Sequence, residues 1–114
     1  MDQLSQIRNK ILSPSQAAEW TSGLRKAGKK VVFTNGCFDL LHYGHIHYLA
    51  EAASMGDALI VGINGQDSVK RLKGEHRPIQ EEISRVYQIA ALFFVDNVVV
   101  FDEDTPCLLY TSDA

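Results

Sequence analysis

Apolar residues in this chain follow two rhythms, short solid blocks and helically spaced runs, and the two alternate. Val31 Val32 Phe33 Thr34, Ala58 to Asn64 and Val98 to Phe101 are solid blocks, the pattern of parallel strands buried on both faces. The spaced runs lie between and before them. Leu4, Ile7 and Ile11 predict a short N-terminal helix. Ser13 and Pro14 then supply an N-cap and first-turn pair for a second helix, with Ala17, Trp20, Thr21 and Leu24 on one face and a stop near Gly28. Ile46, Leu49, Ala50 and Ala53 predict a third helix ending at Gly56. Asp67 to Leu72 reads as a short basic helix, Gly74 to Pro78 as a loop, and Ile83, Val86, Tyr87, Ala90 and Phe94 as the apolar face of a last helix. Strand, helix, strand, helix, strand predicts an α/β, Rossmann-like parallel sheet with right-handed crossovers and helices on both faces, preceded by two short helices.

Composition narrows the chemistry. A chain of 114 residues with 46% apolar content can bury one core of this kind but not two. The formal net charge of -3 favours neither nucleic acid nor a membrane surface, so an anionic ligand must be held locally. Cys37 and Cys107 lack metal-ligand spacing and suggest no disulfide framework, which fits reduced thiols in a cytoplasmic protein and predicts no metal site of the chain's own. No run reaches the length of a membrane span.

In open parallel sheets, ligands gather beyond the carboxyl ends of the strands. The polar residues of this chain that fit no core concentrate there, in Thr34 to Phe38, Asn64 to Asp67 and Phe101 to Thr105. The densest segment is Asn35 Gly36 Cys37 Phe38 Asp39 Leu40 Leu41 His42 Tyr43 Gly44 His45. Two histidines three positions apart, with a glycine between them and a helix start beside them, form a candidate anion site. The spacing matches neither GxGxxG nor the Walker pattern. His47 and His76 read as solvated, Cys37 as a small packed residue, and Trp20 as a packing anchor. Lys70, Arg71, Lys73 and Arg77 have a solvated basic face as their plain alternative, and Arg85 a surface pair with Glu81 or Glu82.

His42 Tyr43 Gly44 His45 resembles the HxGH signature of the nucleotidyltransferase, or cytidylyltransferase-like, superfamily. Phe33 to Gly36, Leu72 Lys73 Gly74, Arg77 Pro78, Phe94 Val95 Asp96 and Phe101 to Pro106 extend the likeness, within that superfamily, to the heptose 1-phosphate adenylyltransferases. The resemblance covers roughly Lys29 to Pro106. It implies a nucleotidyltransferase fold and transfer of AMP from ATP to a sugar 1-phosphate, giving ADP-heptose for lipopolysaccharide core synthesis. His42, His45 and Lys73 would be catalytic, the histidines on the triphosphate and Lys73 adding fixed charge together with Arg85. Thr34, Asn35, Gly36, Cys37 and Phe38 would line the phosphate turn, with Asp39 bracing it or facing the sugar. Gly44, Asn64 and Arg77 complete the expected nucleotide-binding set. Mg²⁺ would arrive with ATP, and a homodimer is implied by resemblance only. A phosphate nucleophile is already ionised, so such a site needs charge stabilisation and no general base. Transfer of cytidylyl to glycerol phosphate or ethanolamine phosphate, and a non-catalytic nucleotide-binding module, are the alternative expectations.

The expected organisation is a helical extension over residues 1–28, a nucleotidyltransferase domain over 29–106, and a non-native tail over 107–114. Cys107 to Ala114 does not resemble the helix the family pattern places there. It matches a translated transposase-adapter sequence used in preparing sequencing libraries, so the natural frame is expected to be cut at about Pro106.

Overall fold

A computed structural model of the chain describes residues 2–74, 76 and 81–102. The elements run α1 (Gln3–Arg8), β1 (Ile11–Leu12), α2 (Pro14–Lys26), β2 (Val31–Gly36), α3 (Tyr43–Ala53), β3 (Ala58–Asn64), α4 (Gln66–Lys73), α5 (Glu82–Ala90) and β4 (Asn97–Phe101). All strand pairs are parallel and the sheet order is β1-β4-β3-β2. The sheet is therefore the expected parallel α/β one, with an additional edge strand.

That edge strand is β1. Ile11 belongs to it, pairing with Val98, and not to the N-terminal helix that the apolar spacing predicted. The helix stops at Arg8 because Asn9 caps it, and Val98 N–H donates to the Lys10 carbonyl at 2.8 Å, drawing the next two residues into the sheet. The second helix starts as its sequence dictates. The Ser13 side chain accepts from Gln16 N–H while the Gln16 side chain accepts from Ser13 N–H, a capping box with Pro14 inside the first turn.

β3 is buried at every position. Successive side chains point to opposite faces, so the central strand feeds two cores. Leu59, Val61 and Ile63 pack with Leu49 and Ala52 of α3 and with Val86, Ile89 and Ala90 of α5. Ile60 packs on the other side with Val31, Val99 and Ala17 of α2, flanked by Trp20 and Leu24. Helices thus cover both faces. Each fully buried aliphatic side chain contributes about 1.5–3 kcal/mol relative to exposure, which makes β3 the main stabilising element.

Two details of the last helix differ from expectation. Ile83 is 64% exposed, whereas Arg85 is fully buried. The helix ends at Ala90, so Phe94 packs against the core from the segment beyond it. Asp96, just before β4, accepts from Leu59 N–H at 2.7 Å and so ties the start of β3 to that of β4. β2 forms one edge of the sheet, and among the described residues no strand pairs with its outer side.

Candidate active site at the carboxyl end of β2

The sheet runs straight into the candidate site. β2 extends through Thr34, Asn35 and Gly36, paired with Val61, Gly62 and Ile63 of β3, and the chain then leaves the sheet at Cys37. Phe38 takes a positive φ of 48°, a strained conformation for a residue with a side chain. This kink folds its ring back over Gly36, where a Cβ would lie 3.0 Å from the aromatic edge. Phe38 and Asp39 are buried, and the chain reaches His42 in extended conformation as the N-cap of α3.

The two histidines hold each other through the helix start. His42 Nδ1 accepts from Gly44 N–H at 3.0 Å, and His45 Nδ1 accepts from His42 N–H at 3.3 Å. Imidazoles here play the parts that Ser and Glu play in an ordinary capping box. A ring nitrogen that accepts carries no proton, so Nε2 is the donor on both rings. The two imidazoles adjoin at 4.1 Å between centroids, tilted 35° to each other, and the Phe38 ring meets His45 edge-on at 5.5 Å. Position 44 admits only glycine without rearrangement, because a Cβ there would sit 2.8 Å from His42 Cε1. The HxGH spacing is thereby explained: one glycine makes room for the first ring, and one helical turn brings the second beside it.

A cavity of about 380 Å³ opens over this arrangement, lined by Asn35, Gly36, Cys37, Phe38, Asp39, Leu40, His42, His45, Tyr48 and Lys73. Burial lowers the pKa of His45 first, and the electrostatic influence of the adjoining His42 ring and of Lys73 lowers it further. The Cys37 thiol is pushed up by burial, against the opposing pull of Lys73 and Arg85, which disfavours the thiolate there. His47 pairs with Glu51 on the surface at 2.7 Å, and His76 is exposed. A second cleft, of about 460 Å³, lies at the amino end of β2 beside Arg25, Lys29 and Lys30, and includes none of the turn residues.

A lowered histidine pKa has a definite sign in stability. The folded state resists the proton that the unfolded chain accepts, so the His45 contribution is present above the ordinary imidazole pKa and is lost as pH falls. The melting temperature is expected to drop between about pH 7 and about pH 5, and His45→Gln should flatten that slope. An unchanged slope in the variant would show that His45 carries none of it.

Of the residues expected at the site, Asn35, Gly36, Cys37, Phe38, Asp39, His42, His45 and Lys73 come together around one cavity, and Gly44 acts from beneath through its N–H. Thr34, Asn64 and Arg85 do not line it. Thr34 is buried and its hydroxyl shares a 2.6 Å hydrogen bond with Tyr48 Oη. Asn64 is buried and its amide donates to Ser68 Oγ at 2.9 Å. Arg85 neither lines the cavity nor sits on the surface with Glu81 or Glu82, since its guanidinium donates into two backbone carbonyls of the interior. Arg77 lies outside the described residues, as does the expected tail from Cys107. Tyr48 and Leu40 are additions. Tyr48 stands one helical turn after His45, and that spacing alone could have indicated it.

Comparison with known proteins settles what this geometry belongs to. A family model described as cytidylyltransferase-like matches residues 33–112. The chain belongs to the cytidylyltransferase-like family. Two relatives in the family bear the name bifunctional protein HldE. The one from Campylobacter jejuni is 60% identical over 83 residues, covering 73% of this chain and 18% of the relative. The one from Campylobacter curvus is 55% identical over 102 residues, covering 90% of this chain and 21% of the relative. The chain thus spans about a fifth of the length of these relatives. A solved structure, described as the lipopolysaccharide core biosynthesis protein from Thermoplasma volcanium, matches with a TM-score of 0.62 and 37% identity, over 74% of this chain and 66% of that one. The cytidylyltransferase-like fold is therefore supported by both sequence and architecture. Among the described residues no helix is long and apolar enough to cross a membrane.

Proposed function

We propose that this chain carries the phosphate-binding part of a nucleotidyltransferase that moves AMP from ATP to a sugar 1-phosphate. In the reaction, a phosphate oxygen of the sugar attacks the α-phosphorus of ATP as the bond to the β-phosphate oxygen breaks. Pyrophosphate leaves and a nucleoside diphosphate sugar forms. Heptose 1-phosphate is the acceptor we infer, with ADP-heptose the product and lipopolysaccharide core assembly the setting. The description of the Thermoplasma structure as a lipopolysaccharide core biosynthesis protein supports that setting.

The observation that carries the reading is the histidine pair, two Nε2 donors on adjoining rings that line one cavity with Lys73. Donors and fixed charge suit a reaction whose transition state gathers negative charge on phosphate oxygens. The turn at Asn35–Phe38 sits at a strand end, where an α/β sheet offers backbone N–H groups to anions. Mg²⁺ accompanies the nucleotide as part of the substrate, held largely by phosphate oxygens and water.

Cytidylyl transfer to glycerol phosphate or ethanolamine phosphate is the second reading, favoured by the description of the family model itself. Pyrophosphate release separates the two. With heptose 1-phosphate as acceptor, the enzyme is expected to prefer ATP over CTP by about a hundredfold or more in kcat/KM. Preference for CTP with glycerol phosphate would replace the first reading by the second.

A further inference from the structure

Arg85 is the most deeply buried charge of the described residues, with no exposed surface. It sits on α5 beside Val86, among residues that face the core. Its Nη1 donates to the Cys37 carbonyl at 2.9 Å and to the Asn64 carbonyl at 2.7 Å. Those carbonyls mark the points where the chain leaves β2 and β3, so one nitrogen ties two strand ends to one helix. The remaining donors, Nε and Nη2, are buried and have no hydrogen-bond partner among the described residues. A guanidinium left two-thirds unmatched is a poor way to stabilise a core, and an apolar side chain of similar length would be buried at lower free energy.

What the arginine does achieve is local. The Cys37 carbonyl belongs to the peptide that leads into Phe38, the residue with φ of 48°. A strained backbone persists only where its surroundings over-determine it. Holding that carbonyl fixes the peptide plane and with it the direction of the Phe38 ring, which is buried, closes over Gly36, and abuts His45 edge-on. We propose that Arg85 is a positioning residue: through the Cys37–Phe38 peptide and the Phe38 ring, it sets the place of the His45 imidazole at the cavity. This rests on the nucleotide reading only for the choice of ligand in the test. It also gives Arg85 a different task from direct phosphate contact, which its burial prevents.

The test compares Arg85→Met and Arg85→Lys in the full chain, following His45 ring titration by NMR and ATP binding by calorimetry. His42 and Lys73 are the neighbours whose electrostatic influence lowers the His45 pKa, and neither is altered. In Arg85→Met the Phe38 ring is expected to relax, the His45 titration to move up toward the ordinary imidazole value, and ATP affinity to fall about tenfold. Lysine offers one nitrogen with three donors, enough for both carbonyls, so Arg85→Lys should restore both readouts. A folded Arg85→Met with unchanged titration and affinity would overturn the proposal. If Arg85→Met does not fold, Arg85→Lys decides: a wild-type His45 titration supports the proposal, and a displaced one overturns it. Failure of both variants to fold would make Arg85 purely structural and overturn it as well. If wild type binds no ATP while Arg85→Met still displaces the His45 titration, the nucleotide reading falls and the positioning role stands.

Discussion

His42→Ala is expected to lower nucleotidyl-transfer turnover by about a hundredfold or more, because on the proposed function it removes a donor to charge that develops in the transition state. The same change takes away the N-cap of α3, since His42 Nδ1 accepts from Gly44 N–H. Losing a cap costs about 1 kcal/mol, a modest part of the stability of a domain this size. The two losses can be separated. Asparagine is a good N-cap residue, so His42→Asn should recover the melting temperature without recovering pyrophosphate release. If His42→Ala kept turnover within about threefold of wild type, the histidine would be a cap and nothing more.

Leu59→Ala is expected to be the most damaging single change to the fold. Leu59 has no exposed surface and lies on the central strand, in the cluster that joins α3 and α5 to the sheet. Truncation of such a leucine costs about 2–5 kcal/mol through lost transfer energy and the cavity left behind. Against a total of about 5–15 kcal/mol, that is enough to leave a marginal domain close to unfolding. Urea titration should show a lower midpoint at an unchanged slope. A loss below about 1 kcal/mol would mean that the helices do not depend on this contact.

The three longer strands were legible because continuous apolar runs have few other uses in a chain this short, and their alternation with helical spacing set the sheet class. β1 was not legible. Two residues show no period, and Ile11 continues the spacing of Leu4 and Ile7 well enough to pass for a helical position. At the site, the histidines and the turn could be read because their types and spacing are tied to one geometry, the reciprocal cap. Thr34 and Asn64 were placed at the correct strand ends, but the direction of their side chains depends on partners from other elements, Tyr48 and Ser68. Arg85 was hardest, because charge predicts exposure. Its position four residues before buried Ile89 was the only hint that it faces inward.

The outer edge of β2 bears on assembly. Among the described residues β2 is an edge strand, so the row of main-chain donors and acceptors along it and the cavity at its end share a border. Any segment that added itself to that row would extend the sheet and raise a new side to the cavity in one step. On the proposed function, strand addition and nucleotide occupancy would then be thermodynamically linked, each changing the affinity of the other by the same factor.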